Sequence, residues 1–157
     1  MKRQATVAIA TALCWAGLLN AADWNQYHGI QSDKKTTETL YSTAFLERTD
    51  SKSWKVPTPL GFSSFSVVGN RAFTLIAEED EDGLMREVCI ALDTGSGKRL
   101  WSSWLTVMDY KHGGGNAGTP GNSGGDGPRS TPASYGDKVW VYDSDMKLYC
   151  LSAKDGK

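Results

Sequence analysis

Two histidines, His28 and His112, three cysteines, Cys14, Cys89 and Cys150, and a run of acids from Glu78 to Asp82 are the side chains in this 157-residue sequence whose types suggest chemistry. A hydrolytic centre needs a nucleophile in an exposing motif with a base beside it. The histidines stand 84 residues apart, and neither is flanked by such a motif. A zinc site needs three or four Cys, His or carboxylate ligands at close spacing; His28 has none nearby and reads as a surface packing residue. Glu78, Asp80, Asp82 and Gly83 imitate the first half of a calcium loop, but the place of the bidentate glutamate falls on Cys89. The run therefore reads as a solvated hairpin loop. The Gly-rich stretch between Gly113 and Gly127 invites a phosphate-loop reading, which requires Gly-Lys-Ser or Gly-Lys-Thr opening a helix. Pro128-Arg129-Ser130-Thr131-Pro132 opens a strand instead. These residues predict no cofactor and no metal.

The elements that would position such residues begin after a leader. Lys2 and Arg3 precede an uncharged apolar stretch from Ala5 to Leu19, then Asn20-Ala21-Ala22 and an abrupt polar change at Asp23. This pattern predicts a secretory signal peptide over 1–22, cleaved after Ala21 or Ala22. The apolar run of 15 residues is short of the roughly 20 that a span needs, so no transmembrane anchor is expected after cleavage. Leu13, where a lipoprotein needs a small residue before its cysteine, argues against lipidation at Cys14. The expected location is exported, periplasmic or extracellular. Without Lys2 and Arg3 the balance is 15 basic against 18 acidic side chains, a charge of −3 with no basic patch. Nucleic acid is excluded as an expected partner.

The core signal is a hairpin. The apolar run Val88 to Leu92 meets an Asp-Thr-Gly-Ser-Gly turn and then a second run through Leu100 and Trp101, which predicts two strands and a five-residue loop. It occurs twice. At an offset of 59, Ala91 falls on Cys150, Leu92 on Leu151, Thr94 on Ala153, Gly97 on Gly156 and Lys98 on Lys157. Ser53-Trp54-Lys55-Val56-Pro57 likewise anticipates Leu100-Trp101, so Trp54 corresponds to Trp101, 47 residues on. Repetition at this spacing predicts an all-β array, a propeller of small antiparallel sheets. Strands are expected at 65–68, 71–77, 88–92 and 100–105, and again at 133–135, 138–142 and 148–151. Cys89 and Cys150 then lie in comparable strands of adjacent sheets, beyond the roughly 4.4–6.8 Å Cα separation of a disulfide, and are expected as buried free thiols.

Ala91, Asp93, Ser96, Gly97, Lys98 and Trp101 resemble Ala-x-Asp-x-x-Thr-Gly-Lys-x-x-Trp, the motif of the pyrroloquinoline-quinone-type (PQQ-like) β-propeller repeat, with Ser96 in the Thr place. Asp23-Trp24-Asn25-Gln26-Tyr27-His28-Gly29 is similar to an opening common in secreted members, with Asn25 for Pro and His28 for Arg. Asp126-Gly127-Pro128-Arg129-Ser130-Thr131-Pro132 resembles a segment placed near the central funnel, which marks Asp126, Arg129 and Ser130 as possible funnel-facing residues. The resemblance implies four-stranded blades whose tryptophan docks on backbone of the adjoining repeat.

The expected layout is signal peptide 1–22, N-terminal extended segment 23–53, an incoming outermost strand at Trp54 with the first blade over 54–110, Gly-rich loop 111–127 and an incomplete second blade 128–157. About two blades are short of the roughly 4–8 that close a ring, which reads as a truncated N-terminal portion of a longer propeller. Two functions are expected from the resemblance. One is a secreted non-catalytic binding or scaffold module whose partners are other blades or a protein. The alternative is part of a quinone-dependent dehydrogenase-like oxidoreductase, with pyrroloquinoline quinone and calcium as a family-level possibility. No adjacent cysteine pair of the kind found under that cofactor is present.

Overall fold

The computed structural model describes residues 22–36, 38, 54–108 and 127–157. The leader, the polar stretch 39–53, His112 and the Gly-rich loop through Asp126 lie outside the described residues.

Two antiparallel sheets make an all-β architecture among the described residues. The first has the order β1 (Ser66–Val68), β2 (Arg71–Glu79), β3 (Met85–Asp93) and β4 (Arg99–Val107), each strand beside the next. The second is β5 (Ala133–Tyr135), β6 (Lys138–Tyr142) and β7 (Leu148–Ser152). Short polar turns force neighbours in sequence to be neighbours in the sheet. Residues 94–98 close β3 on β4, as the turn chemistry requires.

The middle strands of the first sheet, β2 and β3, carry near-continuous buried runs because both of their faces are covered, so the alternation expected of a one-sided sheet is absent there. Residues 72–77 and 87–92 are all buried. The period of two still sorts the side chains. Phe73, Leu75, Cys89, Ala91 and Leu105 form one cluster with Val139, Val141 and Leu151 of the second sheet. Ile76, Val88, Ile90 and Leu92 form another on the opposite face. Packing one sheet face on the other is the chief source of stability, at about 1.5–3 kcal/mol for each large aliphatic side chain fully buried.

Three expectations change. β2 continues past Ala77 and β3 starts before Val88, so the acidic loop contracts to residues 80–84. Glu78 stays in the ladder opposite Arg86 and pairs with Arg99 at 2.9 Å, which compensates a carboxylate the loop would otherwise have exposed. Residues 54–65, expected to include an outermost strand at Trp54, form no strand. Cys150, expected to be buried, is exposed, whereas Cys89 is buried. Cys150 and its partner Trp140 lie on the face of the second sheet turned away from the shared core.

The segment following the leader ties the two sheets together. Trp24 and Val67 exchange backbone hydrogen bonds of 2.8 and 2.7 Å, and the Asn25 carbonyl accepts the Ser134 amide at 2.7 Å. Asp23 Oδ1 accepts the Gly69 amide at 2.8 Å. Residues 23–25 thus lie across β1 and β5.

Candidate functional site

The residues of the sequence motif come together at two equivalent places. Trp54 Nε1 donates to the Thr94 carbonyl at 2.8 Å, and Trp101 Nε1 donates to the Ala153 carbonyl at 3.1 Å. Thr94 and Ala153 are the residues that the 59-residue offset aligns. Beneath each indole lies a glycine in the left-handed region, Gly97 with φ +72° and Gly156 with φ +74°. A Cβ on Gly97 would stand 2.7 Å from Trp54 Cδ2, and one on Gly156 would stand 2.9 Å from Trp101 Cδ2. Both distances are inside van der Waals contact, so each turn needs glycine for its φ and for the ring above it. Trp101 also meets Phe73 at 5.7 Å between centroids, which gives the indole one contact in each sheet.

The turns are braced by the same chemistry with the partners exchanged. Asp93 Oδ1 accepts the Ser96 amide at 2.9 Å and its hydroxyl at 2.7 Å, and the hydroxyl holds the Asp93 carboxyl below the usual carboxylate range. In the second turn Ser152 takes the place of Asp93 and Asp155 the place of Ser96, and the Ser152 hydroxyl lowers Asp155 in turn. One carboxylate and one hydroxyl close each turn, whichever comes first. Ala91 is fully buried, and Lys98 is exposed at the end of its turn.

A cavity of about 400 Å³ opens where the β6–β7 hairpin meets the first sheet; it is lined by Glu87, Arg129, Ser130, Tyr142, Asp143 and Ser144, among others. Gly127, another lining residue, packs closely on backbone of residues 60–61. A Cβ on Gly127 would stand 2.8 Å from the Gly61 Cα, and the Phe62 amide donates to the Pro128 carbonyl at 2.9 Å. This approach seats Arg129 with its guanidinium carbon 5.2 Å from the centroid of Phe62, a cation–π geometry. Ser130 Oγ donates to the Tyr142 carbonyl. Two of the three possible funnel-facing residues, Arg129 and Ser130, therefore line one cavity, and the third, Asp126, lies outside the described residues.

The sequence reading missed two acids here. Glu87 is 2% exposed and Asp143 4% exposed. Glu87 accepts the Ser144 amide at 3.0 Å, fastening the hairpin tip to the first sheet. Asp143 accepts the Lys147 amide at 2.8 Å and the Tyr149 hydroxyl at 2.9 Å. Burial, then the hydrogen bond to Asp143, raises Tyr149 above its ordinary value. The signal for Glu87 was available: it shares the parity of Cys89 and Ala91, a charge on a core-facing position, which in folded proteins is partnered.

The other candidates are placed elsewhere. His28 stacks on Tyr27 at 3.9 Å. In the acidic hairpin, Asp80 Oδ1 accepts the Asp82 and Leu84 amides at 3.0 and 2.9 Å, while Oδ2 takes Arg86 Nε. Among the described residues no three His, Cys, Asp or Glu side chains gather as a metal set. No helix among the described residues is long and apolar enough to cross a membrane. No family model, curated protein or solved structure matches this chain.

Proposed function

We propose that this chain is an exported β-propeller repeat protein of the PQQ-like type, acting as a binding or scaffold module. The observation that carries the reading is the duplicated docking of an indole over a left-handed glycine with its N–H on a turn carbonyl, Trp54 on 94–97 and Trp101 on 153–156. The Trp101 contact runs from one sheet to the next, as in a repeat array in which each unit is stabilised by its neighbours. The cavity at Arg129 supports binding, since it combines hydroxyls, carboxylates and a guanidinium stacked on Phe62. The rival reading is a portion of a quinone-dependent dehydrogenase, which has the resemblance in its favour and no metal-ligand set among the described residues.

Two experiments test the proposal. Expressed in a bacterial cell, the protein is expected in the periplasmic or secreted fraction with 21 or 22 residues removed, as read by intact mass; an intact N-terminus there refutes export. Added pyrroloquinoline quinone and calcium are expected to give no dye-linked oxidation of alcohols or sugars above a cofactor-only control. Turnover would move the assignment to the dehydrogenase.

A further inference from the structure

Two buried side-chain oxygens, Asn25 Oδ1 and Ser66 Oγ, have no hydrogen-bond partner among the described residues, and the register of the backbone makes them neighbours. Trp24 and Val67 exchange both backbone hydrogen bonds in an antiparallel bridge. One step on, Asn25 and Ser66 stand directly opposite each other in a non-hydrogen-bonded pair, where side chains share a face with Cβ atoms about 4.5–5.5 Å apart. That face is the apolar one. Ser66 is fully buried and pairs across β1 and β2 with Phe73, whose ring belongs to the core shared by the two sheets. A hydroxyl and an amide oxygen in such a place carry the cost of lost hydration unless something bonds to them. The nearest backbone acceptors are already filled. The Trp24 and Val67 carbonyls hold each other's amides, and the Asn25 carbonyl accepts both the Ser134 amide at 2.7 Å and the Ser134 hydroxyl at 3.3 Å.

We propose that Asn25 and Ser66 form a binding site for one buried water molecule, which donates to Asn25 Oδ1 and shares a hydrogen bond with the Ser66 hydroxyl. The chemistry of the pair selects this ligand. Both groups are uncharged, so a cation held by them in the core would keep its desolvation cost without a counter-charge, and an anion would meet an amide oxygen that only accepts. Water offers donors and acceptors together, which suits one acceptor-only oxygen beside one hydroxyl. The bridge fastens residues 23–25 to β1 at the point where this segment crosses from the first sheet to the second. Asn25 stands where the resembled opening has proline, which carries no side-chain oxygen, so the site belongs to this chain. It is independent of export and of ring closure; failure of either leaves it standing.

The full chain is compared with Ser66→Ala, Asn25→Leu and the double variant. Oxygen-17 relaxation dispersion counts waters held inside the protein for longer than it takes to tumble, and it is blind to hydroxyl protons. The double variant, apolar at both positions, is expected to hold about one long-lived water fewer than the wild type. In urea each single variant is expected to raise the unfolding constant about tenfold, because it strands the other oxygen. The double variant is expected to raise it by much less than the product of the two, because neither oxygen remains. An unchanged water count overturns the proposal; if the losses are still coupled, the two side chains bond to each other directly. A lower count with strictly multiplicative losses overturns the bridge by placing the water on one group alone. Should the double variant not fold, a crystal structure of the wild-type chain decides. A solvent peak within hydrogen-bond distance of both oxygens is expected there, and a dry gap or an Asn25 amide turned onto Ser66 overturns the proposal.

Discussion

Gly97 and Gly156 each meet two demands, a left-handed backbone and an indole overhead, and the two separate experimentally. Gly69 has φ +57° with nothing within 4 Å of a built Cβ, so Gly69→Ala carries the backbone penalty alone, about 1–2 kcal/mol. Gly97→Ala and Gly156→Ala are expected to exceed it by a further ~1–3 kcal/mol, the range for an overpacked site. Urea unfolding followed by tryptophan fluorescence checks the difference; equal losses at all three positions would remove the indole from the account. At Tyr149 the raised value fixes a sign. A group whose folded value lies above its unfolded value of 10.0 contributes fully below pH 10 and loses that contribution as pH climbs through the folded value. Tyr149→Phe is expected to cost about 1–3 kcal/mol at pH 7, because buried Asp143 loses a donor. The gap between wild type and variant is expected to narrow above pH 10. A gap that widens with pH would contradict the assignment.

The hairpin of residues 80–84 is an element whose acids serve its geometry. Asp80 carries two backbone amides and Arg86, and the Arg86 hydrogen bond is the largest influence holding its carboxyl below 3.8. Its contribution is present above that value and fades as pH falls through the lowered folded value. In a carbon-detected NMR titration Asp80 is expected to titrate below an unperturbed aspartate, and Arg86→Ala is expected to move it back up. A variant whose Asp80 titrates unchanged would show that the ion pair does not form in solution. The β6–β7 hairpin, in contrast, is fastened from outside. Its tip is held by Glu87 through the Ser144 amide and by Thr106 Oγ1 on Asp145 at 2.7 Å, so its position depends on the first sheet.

Among the described residues the two sheets share one core, and Trp101 packs at its rim with contacts in both. Trp101→Ala is expected to cost about 2–4 kcal/mol, toward the lower end of large-to-small losses because the ring is half-buried. The loss is expected to fall unequally. Amide hydrogen exchange should accelerate most in β6 and β7, because the three-stranded sheet has less internal burial from which to persist alone. Uniform acceleration across β2, β3, β6 and β7 would show a single cooperative unit.

The sequence by itself determined the local elements. The run Val88 to Leu92 with its Asp-Thr-Gly-Ser-Gly turn specifies a hairpin because apolar periodicity and turn residues act within a few positions, and β5, β6 and β7 fall within a residue of the strands read for them. The likeness of residues 91–101 to 150–157 was legible for the same reason: glycine at 97 and 156 answers a local backbone need. Only the tertiary structure decided what those elements meet. Trp54 sits over Gly97 from a segment that forms no strand, 40 residues from the carbonyl it binds. Cys89 and Cys150 read alike as small thiols in apolar strands, yet one faces a second sheet and the other faces solvent. Glu87 is tolerated in the core because a backbone amide 57 residues away reaches it. Burial and partnering are set by the surface that the fold brings opposite a residue, and that surface is remote in the chain.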